Sequence, residues 1–460
     1  MYSLFRVRFD WVQFVGIAIV LRLVFFDMGW LSFLAILIFL HQFLLLFNSL
    51  DYVIPIRYMF GTYMCIQMFV GPAFAYSGLD KYQYFVYQMK LSEADYFSYV
   101  MPAVIAFIIG LHITAGKLKG ESLNSKSIAI FVNKHPSLPF WLVGIGFTSS
   151  VFADFFSANF TFIFYLLSGL KFVGLFMLFL GNTALKLPVM IAVIFSIVGS
   201  SLSQGMFHDL LTWLIMLGAI MAIRFKPSKK LKWLTFMSFI LFVVIIQQLK
   251  GAYRTATSKG ETAGIETFEK VYRAGEENNS IFSFQSLATS NVRINQGFII
   301  TNIMTTVPRK VPFSNGEELQ QILEAAFLPR FLAPDKLTAG NRDIFMKYSG
   351  MRIQKGTSMG LSSVGDAYIN FGIVGGCIFM FILGLLYSEV LNAFHKFSKN
   401  FPVLLLFTPL VFYYPIRPDC ELQTILGHLV KSCFLIFVIF LVWKKEFRMN
   451  YRPFWKKYSS

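Results

Sequence analysis

Apolar runs about as long as a bilayer is thick follow one another along most of this chain. A spanning helix needs about 20 mostly apolar residues. Runs near that length lie at 11–27, 29–49, 58–78, 96–116, 139–154, 158–181, 187–203, 206–223, 232–249, 364–391, 401–415 and 422–443. Those at 139–154 and 401–415 are the shortest, and 364–391 is long enough for one tilted helix. Inside lipid the backbone must satisfy its own hydrogen bonds, which a helix does within one segment. The pattern therefore predicts an all-α, polytopic integral membrane protein of about 12 spans.

Composition agrees. Only 14% of the residues are charged, against about 25% in a soluble domain, and Phe alone occurs 54 times. The first apolar run lacks a small-x-small cleavage site and leads straight into the next, so it reads as a span rather than a signal peptide. Cys65, Cys377, Cys420 and Cys433 show no CxxC spacing, and those in apolar runs read as small core residues. The net charge of +17 would suggest nucleic acid in a soluble protein. Here much of it sits in short loops and the tail, so no nucleic-acid partner is expected.

Those loops set the orientation. Arg6 and Arg8 precede the first run, while Lys117, Lys119, Lys126 and Lys134 share one loop. Arg224, Lys226, Lys229, Lys230 and Lys232 share another, and Lys396 and Lys399 a third. Lys444, Lys445, Arg448, Arg452, Lys456 and Lys457 form the tail. An even span count puts all of them on one side, which the positive-inside rule makes cytoplasmic. Both termini are then inside, and loops 78–95, 154–158, 199–208, 250–360 and 414–421 face outward. The expected organisation is spans one to nine over 1–249, a large outer loop over 250–360, spans ten to twelve over 361–443, and a basic cytoplasmic tail over 444–460. No internal repeat is visible.

The outer loop holds many cations that orientation does not explain, because long loops cross largely regardless of charge. An anion at the membrane surface is one reason to keep them. Lys250 and Arg254, four apart, leave the ninth span; headgroup snorkelling is the plain alternative. Arg309, Arg330, Arg342 and Arg352 follow among Pro-rich turns and a predicted helix over 317–327. The stretch Ile281–Val307 suits an interfacial helix or one packed on the outer face. The Gly356–Ser363 stretch offers free N–H groups to an anion, or is a plain loop.

Beside the spans, Asp366 and Asn370 share a helix face, with helix N-terminal stabilisation as the plain reading of Asp366. The turn Tyr413–Glu421 carries Arg417, Asp419 and Glu421, which form either an interface ion pair or part of a site. His428 and Lys431, within the last span, are expected to be buried, where ionisable groups are costly and usually pair or line a wet cavity.

This layout resembles the Wzy-type polymerases of bacterial surface polysaccharides. The likeness rests on the Lys250/Arg254 exit, the Leu328–Pro334 segment, the Gly365–Gly376 span start and the Arg417-Pro418-Asp419 turn, with the overall hydropathy. It implies a fold similar to the membrane-embedded (GT-C) glycosyltransferases in the bacterial inner membrane. It also implies transfer of a glycan from undecaprenyl pyrophosphate to another lipid-linked repeat unit at the periplasmic face. A chain-length regulator is left open as a partner. Periplasmic arginines would hold the anionic substrate.

Fixed guanidinium groups offset the charge of a departing pyrophosphate and pair two oxygens at once. Arg254, Arg330 and Arg417 are the first choices, with Lys250, Arg309, Arg342 and Arg352 behind them. A base for the acceptor hydroxyl is sought among Glu421, Asp419, Asp366 and His428, in that order. No metal-ligand spacing is present, so neither metal nor other cofactor is expected. A lipid-linked glycan ligase, a transporter and a structural assembly partner are the alternatives.

Overall fold

In a computed structural model the described residues are 9–443 apart from 116–122, 153–154, 156–157, 182, 205–207, 259–263, 278–283, 329–335, 338–339 and 355–358. They fold into helices and connecting turns, with no strand among them. The first half holds α1 (Trp11–Val24), α2 (Trp30–Ser49), α3 (Ile56–Cys65), α4 (Gly71–Tyr76), α5 (Glu93–Ile113) and α6 (Ser125–Lys134). Then come α7 (Leu138–Phe152), α8 (Ala158–Ser168), α9 (Leu170–Leu180), α10 (Lys186–Gln204), α11 (His208–Phe225) and α12 (Lys229–Ser258). The loop between the long helices forms α13 (Ile265–Glu277), α14 (Phe284–Ile294), α15 (Gly297–Thr306), α16 (Glu317–Phe327) and α17 (Arg342–Ser349). The chain closes with α18 (Ser362–Phe397), α19 (Thr408–Val411) and α20 (Leu422–Val442).

Six stretches among the described residues are long and apolar enough to cross a bilayer: Trp30–Ser49, Glu93–Ile113, Phe162–Leu180, Lys186–Ser203, Ser362–Phe397 and Leu422–Val442. Each coincides with an apolar run read from the sequence. This is an α-helical protein with the character of a membrane protein.

Other runs take different forms. The run at 58–78 is interrupted by a π-helical turn at Ile66–Val70 between α3 and α4. A π turn shifts carbonyls out of the regular ladder. Here the Met68 carbonyl accepts from the Tyr96 hydroxyl (2.8 Å), and the Gln67 carbonyl from the Gln296 amide (3.1 Å). The run at 401–415 is no continuous helix: a 3₁₀ stretch, Pro402–Phe407, leads into the four-residue α19, and both are buried.

The long run at 364–391 is not one uninterrupted rod either. At Gly372 the backbone leaves helical geometry (φ 66°, ψ −158°), in a region open essentially to glycine alone. The Phe313 ring packs against this break. The helix therefore consists of a short N-terminal part, 362–371, and a longer apolar part beyond.

Among the described residues the most extensive helix pair is α5 with α18. A Cβ on Gly110 would run into the Phe381 carbonyl, and one on Gly384 into the Phe107 carbonyl. The missing side chains let the two backbones touch, as small residues do between membrane helices. Contacts climb in register, from Tyr99 bonded to the Val364 carbonyl (2.6 Å) to Thr114 against Ser388 (2.6 Å). The two helices thus run in the same direction.

Candidate functional site

The short N-terminal part of α18 organises the region where the loop helices meet α20. The Asp366 carboxylate Oδ2 accepts the Leu422 amide at 2.8 Å. It caps the first turn of α20, where a helix leaves N–H groups unsatisfied. One turn on, Asn370 Oδ1 accepts the Leu319 amide (3.1 Å) and the Ser314 hydroxyl (2.7 Å) at the start of α16. The sequence predicted helix N-terminal stabilisation by Asp366. The helix it stabilises is α20 rather than its own.

Between these elements lies a cleft of about 400 Å³, counting its open mouth. Glu318 of α16, Asp366 and Glu421 line it, with Tyr348, Asn341 and Gln423 among the other polar groups. Among the described residues no Lys or Arg lines it. Each carboxylate is held by one oxygen. Glu318 Oε1 accepts from the Tyr348 hydroxyl (2.8 Å) and Lys347 Nζ (3.3 Å). Glu421 Oε1 accepts from the Gly340 amide (2.6 Å) and the Thr424 hydroxyl (3.0 Å). The second oxygen of each has no donor among the described residues. Burial pushes the Glu421 carboxyl above its ordinary value of 4.5, against the pull of the Gly340 and Thr424 hydrogen bonds. Raising a carboxyl towards neutrality suits proton transfer. No group of three or more His, Cys, Asp or Glu among the described residues is disposed to hold a metal ion.

Arg417 stands in the turn just before Glu421. Its Nη2 donates to Asp419 Oδ2 at 3.2 Å, and its guanidinium lies 5.1 Å from the centre of the Tyr414 ring. The side chain is 16% exposed, and its buried Nε has no hydrogen-bond partner among the described residues. A guanidinium offers five donors in a fixed fork, so this one retains capacity for an anion.

The family is now decided by a profile that matches residues 39–445. The chain belongs to the domain of unknown function DUF8712. No curated protein and no solved structure matches it. The DUF8712 match takes in the cleft, the Arg417 turn and the α5–α18 pair.

Other residues expected at a site fall elsewhere. Arg309 and Arg352 are exposed and Arg342 is half-buried, its Nε donating to the Ile353 carbonyl at 2.8 Å; none of them lines the cleft. Arg330, the Gly356–Ser358 stretch, the basic tail, and the side chains of Lys250 and Arg254 lie outside the described residues. Asp419 is the ion-pair partner of Arg417. His428 is 1% exposed, its Nε2 bonded to the Leu410 carbonyl at 2.8 Å, and it does not line the cleft. Lys431 was expected to be buried. Instead it is exposed on α20, its ammonium 4.4 Å from the Phe162 ring centre.

Two buried cations escaped sequence reasoning. Arg57, 3% exposed, donates to the Leu111 carbonyl, Ser388 Oγ (2.6 Å) and Asn392 Oδ1 (3.2 Å), tying α3, α5 and α18 together. Lys171, 6% exposed, donates to Ser196 (3.0 Å) and Ser150 (3.3 Å). A lone cation within or beside an apolar run was the available signal. Glu318, Tyr348, Asn341 and Gln423 gave no such signal, because the fold alone brings their segments together.

Proposed function

We propose that this protein is a glycosyltransferase that polymerises oligosaccharide repeat units carried on undecaprenyl pyrophosphate, at the outer face of the bacterial inner membrane. One observation carries the reading: a single turn at the head of α20 holds both a guanidinium with a buried donor unpaired among the described residues, Arg417, and a carboxylate lining a cleft, Glu421. Transfer to a sugar hydroxyl needs both. Glu421 takes the proton from the acceptor O–H as that oxygen bonds to the anomeric carbon of the donor. The anomeric C–O bond to pyrophosphate breaks, and the lipid pyrophosphate leaves with the electron pair and its negative charge. A fixed guanidinium stabilises such a charge best where water is scarce.

The finer architecture belongs to the same proposal: about twelve crossings, both termini cytoplasmic, a likeness to the membrane-embedded (GT-C) glycosyltransferases, and the loop of α13–α17 outside. The resemblance to Wzy-type polymerases supports it, as does the shared direction of α5 and α18, which both run from the loop side inward in this topology. A second reading, a transporter, draws on the broken helix at Gly372 and the buried Lys171, since interrupted helices and buried charges mark transport sites.

The test is chain extension by the purified protein in liposomes given a lipid-linked repeat unit. Longer glycans on the lipid are expected, with loss of most of the rate in Arg417→Ala. Translocation of the lipid without any lengthening would sink the polymerase and favour the transporter.

A further inference from the structure

We infer that the cleft walled by Glu318, Asp366 and Glu421 is a carbohydrate site that takes a sugar ring of the acceptor unit by its hydroxyls, while the pyrophosphate stays outside it at Arg417. The inference rests on the polymerase reading and specifies where its two substrates part. Charge is the first argument. Lys347 pairs with Glu318 from outside the lining, but among the described residues no Lys or Arg lines the cleft or pairs with Asp366 or Glu421, so a phosphate entering beside those two would face like charge. Hydrogen-bonding capacity is the second. Asp366 is only 5% exposed, lines the cleft and leaves Oδ1 without a donor among the described residues, and Glu318 and Glu421 each leave an oxygen as well. These acceptors call for a ligand rich in O–H donors.

The rest of the lining suits the same ligand. The amide groups of Asn341 and Gln423 stand near the carboxylates, and Ile322, Leu337 and Ile344 supply an apolar wall for the C–H face of a ring. A bound cation would be the other partner for carboxylates. No three of His, Cys, Asp or Glu among the described residues gather around one ion, and the calcium arm of the experiment below tests a cation held by fewer.

The experiment uses the full-length protein purified in detergent. A panel of lipid-free bacterial oligosaccharides is screened for binding, and the best ligand is titrated calorimetrically against wild type, Glu318→Gln and Glu421→Gln. Both substitutions keep the side-chain shape, and unchanged melting temperatures certify the fold. Wild type should bind, each variant should bind about 10- to 100-fold more weakly, as loss of one charged acceptor implies, and millimolar inorganic pyrophosphate should not displace the sugar. Any of three results overturns the inference: no glycan bound by wild type, binding that neither variant weakens, or displacement by pyrophosphate. A rise in melting temperature with calcium but not with glycan would likewise overturn it, making the cleft a cation pocket. The polymerase reading is judged separately, by chain extension. Extension without glycan binding would leave that reading standing and remove this one. Glycan binding without extension would do the reverse.

Discussion

Replacing Asp366 separates an acceptor from a charge. In the native protein its Oδ2 meets the Leu422 amide at 2.8 Å, and Leu422 is fully buried, so water cannot substitute. Asp366→Ala leaves that N–H unpaired, at a cost of about 1–3 kcal/mol. The same bond viewed as a helix cap gives about 1 kcal/mol. These describe one interaction and are not added, so about 2 kcal/mol is expected. Asp366→Asn keeps an acceptor oxygen and loses only the charge–dipole attraction, about 0.3–1 kcal/mol. It also removes a charge that shares the cleft with Glu318 and Glu421, which offsets part of that loss. The order should be wild type, then Asn close behind, then Ala well below, a difference of about tenfold or more in the folding equilibrium. Unfolding of the purified protein in mixed micelles, followed by circular dichroism, measures it. Equal losses for Asn and Ala, or no loss for Ala, would show that the cap does not hold α20.

Gly372→Ala should destabilise by about 1–3 kcal/mol, because no other residue sits comfortably at that φ and ψ; the new Cβ would also stand 3.3 Å from the Phe313 ring, whereas Gly16→Ala, with nothing within 4 Å, serves as a neutral control in the same unfolding assay. Gly384→Val should force α5 from α18 and sharply reduce the yield of monodisperse protein on size exclusion, while Gly144→Ala, which faces open space, should not. Glu421→Gln should lower the extension rate by about 10²–10⁴-fold. A base works ionised, and burial raises this carboxyl, so wild-type activity should fall as pH drops through a value above 4.5, and the variant should lack that acid limb.

The apolar runs at 29–49, 96–116 and 422–443 were legible because run length alone decides a spanning helix. The interruption in 58–78 was not, since a π turn is stabilised by Gln296 and Tyr96, which approach from distant sequence. The break at Gly372 had a visible mark, a glycine inside an apolar run, but glycine is ordinary in membrane helices and does not announce its φ. At the site, Arg417, Asp366 and Glu421 were readable as charges beside apolar runs. Glu318 was not, because it belongs to a surface-patterned helix that becomes a cleft wall only when Asn370 seats it. Arg57 and Lys171 were readable and were overlooked.

The short N-terminal part of α18 also bears on how a protein of this character would meet membranes of unequal thickness. A spanning helix answers a thicker or thinner bilayer mainly by changing its tilt. The glycine joint at 372 divides this helix into ten residues seated between α16 and α20 and a longer apolar part packed on α5, so a tilt of the longer part has a place to be taken up before it reaches the cleft.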